Sequence, residues 1–395
     1  MNALNSSSRD FVPGPGSVSS GPRHSPRLPL LTAVRYPAAL VVFVFHLSLP
    51  QLGVLPQDSA ARTFGWIVSQ LGGLGVTFFF ILSGFVITWS TRPGDRVTSF
   101  WRRRFVKILP LYWIAGITAA LVAPSRVSLL PNYLVMREAW STDPNVYFGL
   151  NPPGWSLCVE ALFYLLFPLV AGHRLIAKAT KRVVMVAAAV STTAVVVIVA
   201  ISTQIHSGPV MAHDSTVHSV QYWMTYVLPV LRLPEFVLGS SAAIAVRNDW
   251  LPRITLGPAI VSLVAFYAAS LFLPSLWSQR AVLVLPSLWV ITALAQKNAH
   301  GQATHFSPTA LRLGEWSFAF YLFHYPAIEL VSRLLSTTII PEARLRFWVV
   351  AIAAAGIATA SSWLLYIAVE RPLTRAFGGR AISLSFTPSR KATQS

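Results

Sequence analysis

Ten stretches of mostly apolar residues, each near the roughly 20 that a helix needs to cross a bilayer, divide the chain. They fall near 30–49, 71–90, 106–124, 154–171, 183–203, 222–246, 255–274, 280–296, 312–333 and 347–369. The eighth is the shortest, and the sixth is interrupted by Pro229 and Pro234. Residues 1–28 are rich in Ser, Pro, Gly and Arg and contain no apolar run. They read as a disordered basic tail in the cytosol rather than a signal peptide, which needs an uninterrupted apolar core. Residues 371–395 read as a second basic cytosolic tail. No repeat or linker divides what lies between, so residues 29–370 form one domain. The expected fold is all-α: a polytopic bundle of about ten transmembrane helices.

Composition agrees with lipid as the solvent. The chain of 395 residues is 54% hydrophobic and 11% charged, where soluble domains carry about 25% charged residues. Its mean hydropathy is +0.58. Lys and Arg total 31 against 13 acidic residues, a formal charge of +18. In a soluble chain that excess points to nucleic acid; here its placement gives another explanation. With the N-terminus inside, the inner segments, which include Arg102, Arg103, Arg104 and Lys107, hold about three times as many cations as the outer ones, which include Arg126 and Arg280. Both termini are therefore expected in the cytosol, and no nucleic-acid partner is required. The single cysteine, Cys158, excludes an intrachain disulfide and a cysteine-based metal cluster. Flanked by apolar residues, it reads as inert packing, and no metal is expected.

Ionisable side chains at membrane depth are costly and mark functional sites by default. They are Arg35, His46, Glu160, Arg232, Glu235, Glu315, His324 and Glu329. Eleven positions on an unbroken helix turn through about 1,100°, close to whole turns, so Arg35 and His46 share a face with a rise of roughly 16 Å between them. On spacing alone, a snorkelling Arg and a structural His remain an open alternative. Ser156, Glu160 and Phe163 or Tyr164 share a face of the fourth span, which enters from outside. Glu160 is therefore expected at the depth of His46, where a carboxylate would orient the imidazole; a Glu satisfied by Trp155 or Tyr164 is the plainer reading. The cluster Arg102, Arg103, Arg104 and Lys107 serves either topology or phosphate binding, since Arg forks match phosphate oxygens. Arg232 and Glu235 read as a structural ion pair, and Gly72, Gly73, Gly75 and Gly84 as close helix contacts. His324 is either a second base, a ring-orienting group or a satisfied bundle histidine.

Together these residues resemble the acyltransferase 3 family of membrane acyltransferases. Leu31-Thr32-Ala33-Val34-Arg35 with His46 is similar to its first-helix motif, Phe78-Phe79-Phe80-Ile81-Leu82-Ser83-Gly84-Phe85 to its second-helix signature, and Arg103-Arg104-Phe105-Val106-Lys107 to its third. Trp155-Ser156-Leu157 with Glu160, Arg232 with Glu235-Phe236, Leu313-Gly314 with Ser317, Tyr321 and His324, and Glu370-Arg371-Pro372 follow in family order. The match spans nearly the whole chain and is to the stand-alone type. Two departures stand out: Ala33-Val34 replaces an Asp-Gly pair, and Lys107 replaces an Arg, keeping charge but losing the fork.

The resemblance implies an acyl-CoA co-substrate, in the simplest case acetyl-CoA, and transfer to a hydroxyl on a glycan or glycosylated small molecule. It implies that Arg35 and His46 are essential. With it, Glu160 and His324 become candidates for orienting His46, Arg103, Arg104 and Lys107 for holding CoA, and Trp155, Ser156 and Tyr321 for contacting the acceptor. The bilayer is the other partner, and a bacterial cytoplasmic membrane the expected location. Family members modify envelope polysaccharides or, in one subgroup, macrolide antibiotics, and the opening Leu-Pro-Leu-Leu-Thr is closer to the latter. A transporter or flippase of a glycan or lipid-linked substrate is the competing class, since a broken helix and paired intramembrane charges suit it; no inverted repeat supports it.

Overall fold

The structure is a computed structural model that describes residues 28–377 except 92–93, 171–172, 212–213, 302–306 and 336–338. The N-terminal tail expectation (1–28) and residues 378–395 of the C-terminal one thus fall almost wholly outside the described residues. Residues Arg371–Phe377, assigned above to the tail, are helical.

A helix occupies each of the ten apolar segments: α1 Arg35–Leu47, α2 Leu71–Trp89, α3 Val97–Val122, α4 Gly154–Val170, α5 Lys181–Ser202, α6 Leu233–Arg247, α7 Leu256–Ser270, α8 Val282–Ala299, α9 Pro308–Leu334 and α10 Ala343–Leu365. Among the described residues, seven helical stretches are long and apolar enough to cross a membrane, and Gly154–Leu169 and Leu256–Ser270 are shorter apolar helices. The protein is an all-α polytopic membrane protein. Its only described sheet is a small antiparallel hairpin, β1 Val210–Met211 with β2 Asp214–His218, in which Val210 pairs with His218. The ends of the bundle are distinguished below as the basic end, where α1 begins and Arg104 and Lys107 lie, and the far end, where His46 lies.

Two boundaries differ from the hydropathy reading for identifiable reasons. Helix α3 begins nine residues early, at Val97, because Arg102, Arg103 and Arg104 are good helix formers and continue the helix beyond its apolar part. The sixth segment is regular only from Leu233. Before it the chain passes through a π turn, Trp223–Val227, and a 3₁₀ turn, Pro229–Arg232. Pro229 has no N–H for a helical ladder, and Pro234 is accepted where it stands because first-turn N–H groups have no partner.

Helices α2 and α6 pack backbone to backbone. A Cβ at Gly84 would strike the Phe236 carbonyl, and one at Gly239 would strike the Ile81 carbonyl. Behind this crossing, Phe80 and Phe236 sit against Phe163 with ring centroids 5.3 and 4.7 Å away.

The broken sixth segment is pinned by buried charges. Arg232 lies 3.4 Å from Glu235, as the spacing predicted. Arg280 was expected in an outer segment, yet it is fully buried and binds the same carboxylate through two bonds of 2.8 and 3.0 Å. It also donates to the carbonyls of Thr225 (2.8 Å) and Leu231, which the chain break frees. An unpaired buried carboxylate and orphaned carbonyls each cost free energy, so Arg280 is part of the core despite standing at a span boundary.

Candidate active site

Helix α1 carries Arg35 at the basic end and His46 at the far end, each lining a different cavity. The imidazole of His46 is 6% exposed, and its Nδ1 lies 2.8 Å from Nε2 of His324 on α9. His324 is fully buried, and its Nδ1 lies 3.3 Å from the Phe320 carbonyl one turn earlier. These partners assign the protons. A carbonyl only accepts, so His324 carries its proton on Nδ1, and in the neutral ring Nε2 is an acceptor. His46 then donates from Nδ1, which leaves its Nε2 with a lone pair. The edge of Tyr325 closes on the His46 ring, with centroids 5.4 Å apart.

The far-end cavity has a volume of about 860 Å³. Besides His46 its wall includes Phe45, Phe148, Trp155, Tyr222, Tyr226 and Tyr325. Pro209, Val210 and Met211, leading into and forming β1, line it as well. Arg126, Gln51 and Asn145 are among its polar members beside the histidine. Arg126 is bound to Glu329 at 3.1 Å, and Arg333 holds the other oxygen of that carboxylate at 2.7 Å.

The basic-end cavity is smaller, about 120 Å³, and is lined by Arg35, Arg104, Lys107, Glu160, Tyr164 and Ser83 among others. Glu160 Oε1 accepts from Ser83 (3.0 Å) and from Tyr164 (2.5 Å). Arg104 lies over the rings of Phe100 and Tyr164, at 5.4 and 5.7 Å, and reaches Ser90 at 3.2 Å. Lys107 Nζ lies 3.6 Å from Glu370, so the third-helix basic motif and the Glu-Arg-Pro motif after α10 meet in space. Val76 and Tyr321 line both cavities. The Tyr321 hydroxyl is 2.8 Å from that of Ser156.

Two expectations need correction. Glu160 does not reach His46: it is hydrogen-bonded on the basic side, and His324 takes the neighbouring position. Depth counted from the start of α4 misled, because Pro152, Pro153 and Trp155 line the far-end cavity while Ser156 already lines the basic-end one. Trp155 and Ser156 therefore stand at mid-depth, and Glu160 lies one turn beyond them. Arg103 does not line the basic-end cavity but pairs with Asp95. Successive residues turn by about 100° on a helix, so of the arginine run Arg104, in register with Lys107, faces inward. Trp155 lines the far-end cavity, Ser156 the basic-end one and Tyr321 both. Sequence reasoning missed Arg126 and Tyr325, whose types are ordinary for a loop and an apolar helix. Among the described residues no group of His, Cys, Asp or Glu is arranged to hold a metal ion.

A family model described as an acyltransferase domain matches residues 29–367. The chain is similar to "Acyltransferase MdmB" of Streptomyces mycarofaciens, 34% identical over 376 residues that cover 90% of this chain and 93% of that one. It is similar to "Exopolysaccharide production protein ExoZ" of Rhizobium meliloti, 29% identical over 67% of this chain and 78% of that one. A shorter stretch, 36% of this chain and 24% of the relative, is 26% identical to "Peptidoglycan O-acetyltransferase OatA" of Listeria monocytogenes. No solved structure matches. On the strength of the model's length and the relative covered nearly end to end, the chain belongs to the acyltransferase 3 family of membrane acyltransferases.

Proposed function

We propose that the protein moves an acyl group, in the simplest case acetyl, from acyl-CoA to a sugar hydroxyl, with His46 as general base. The observation that carries this reading is the His46–His324 pair, whose His46 lines the far-end cavity next to a cavity lined by Arg35, Arg104 and Lys107. Arginine and lysine at the basic rim suit the phosphates of CoA, and the narrow apolar cavity beyond suits its thioester arm. Glu160, held by Ser83 and Tyr164, then serves the Arg104 side of the site rather than the imidazole.

His46 takes the proton of the acceptor hydroxyl through Nε2 as the oxygen attacks the thioester carbonyl. The intermediate collapses, the C–S bond breaks, and the CoA thiolate recovers the proton from His46, giving ester and free CoA. Throughout, His46 Nδ1–H donates to His324, which fixes ring and tautomer as a carboxylate does in other base pairs. The acceptor occupies the far-end cavity, whose Trp155, Tyr222, Tyr226 and Tyr321 offer flat faces to sugar rings. A glycosylated macrolide or a strand of envelope glycan fits this description. The bacterial cytoplasmic membrane is where both reactants meet it, with CoA on the side of the basic end.

The test supplies labelled acetyl-CoA to membranes containing the protein, with a macrolide glycoside added and envelope glycan present, and follows label into each by mass spectrometry. General base catalysis contributes about 10²–10⁴-fold, so His46→Ala loses turnover by at least the lower figure; undiminished turnover removes His46 from this role. His324→Ala loses kcat, and His324→Gln regains part of it because the amide oxygen accepts from Nδ1–H. A purely structural His324 would show no such rescue.

A further inference from the structure

Val76 and Tyr321 are the described residues that line both cavities, so the two spaces meet at them. Both are nearly buried, at 4% and 7% exposure. Neither side chain is free to retreat. Val76 stands on α2 immediately after Gly72, Gly73 and Gly75. A Cβ at Gly75 would strike Val42, one at Gly72 would meet the Phe45 ring, and one at Gly73 would strike the backbone of Gln279. This stretch of α2 is therefore clamped against α1 on one side and the chain before α8 on another. A β-branched side chain in a helix keeps essentially one χ1 rotamer, which fixes the direction of the Val76 methyls. Tyr321 is held by its hydroxyl contact to Ser156 at 2.8 Å and by the edge of Phe79, with centroids 5.6 Å apart.

We infer that Val76, backed by Tyr321, is the gauge that sets which acyl chain the enzyme accepts. The inference rests on the acyl-CoA reading above. A donor entering from the basic end must bring its carbonyl to the cavity of His46, so the carbonyl carbon sits at the shared wall and the acyl chain has to lie against it. On the basic side that wall continues into Phe79, Phe80, Ile87, Ile108, Leu157 and Phe318, in a space of about 120 Å³ that the thioester arm itself must share. Interiors packed this closely yield little when a methylene is added. Each extra carbon on the acyl chain therefore meets the methyls of Val76 first.

The experiment uses the full-length protein in membranes, as wild type, Val76→Ala and Val76→Phe. Each is given an equimolar mixture of acetyl-, propionyl- and butyryl-CoA with the same macrolide glycoside and envelope glycan as acceptors. Product ratios are read within each sample, so differences in the amount of folded protein cancel. One methylene in an apolar pocket changes selectivity by roughly tenfold or more. Val76→Ala should raise the butyryl-to-acetyl product ratio by roughly tenfold, and Val76→Phe should lower it by as much. Transfer with ratios that do not move in either variant overturns the gauge and leaves the acyl-CoA reading standing. Wild-type membranes that transfer no acyl group from any of the three thioesters overturn both.

Discussion

A carboxyl away from the reacting groups offers a clear reading of charge in this protein. Glu138 lies between α3 and α4 and is 3% exposed; it accepts a 2.8 Å bond from the Tyr112 hydroxyl. Burial raises its pKa to about 8, against the opposing pull of the Tyr112 bond, which favours the charged form. A folded-state value above the unfolded one means that the fold favours the protonated acid. That contribution is complete below about pH 4.5, declines as the unfolded chain ionises first, and is gone above about pH 8. The melting temperature of the purified protein should therefore fall as pH rises across this window, while Glu138→Gln, which stays neutral, flattens the curve; identical curves for the two proteins would contradict it. Sequence gave no hint of Glu138, since its burial depends on how the short segments beyond α3 fold over Tyr112. By contrast the shared face of Arg35 and His46 could be read from a period of 3.6 residues, while it was the family resemblance and not the spacing that singled the two out. The His46 partner was legible only as a choice between Glu160 and His324, because depth along a helix cannot be read without knowing where that helix starts.

At the level of elements, the apolar segments announced their helices, and the misreadings lie where an element bends or ends. Arg280 looked like an outer-loop cation because it stands at the edge of its span, and only the neighbouring break in the chain explains why it is buried. The close crossing of α2 and α6 was legible in kind, as small residues that allow contact, but not in its partner. That crossing has an energetic consequence. Gly239→Ala forces a methyl into the Ile81 carbonyl, and overpacking of this sort costs about 1–3 kcal/mol. Gly257→Ala on α7 adds its methyl to open space and should be neutral or stabilising by up to about 1 kcal/mol, the helix preference for Ala over Gly. Thermal melts of the two variants in detergent distinguish them; equal losses would mean that the crossing is looser than described.

For the whole molecule, the distribution of cations predicts orientation. Ser125, just after α3, and Asn248, just after α6, are both exposed and lie at opposite ends of the bundle. The native Cys158 is buried, so single cysteines can be placed at either site without a labelling background. A membrane-impermeant maleimide should label Ser125→Cys in intact cells and Asn248→Cys only after the membrane is opened; the reverse pattern would turn the molecule over and put the CoA rim on the wrong side. The wall formed by Val76 and Tyr321 matters at this scale in another way. A bundle hollowed from both ends would short-circuit the electrical gradient of its host if the hollows joined, since a file of water carries protons. Where the hollows meet they are lined by one aliphatic side chain and one phenol held by a serine, a junction that the thioester arm fills in turnover, so the protein should reside in an energised membrane without becoming a leak.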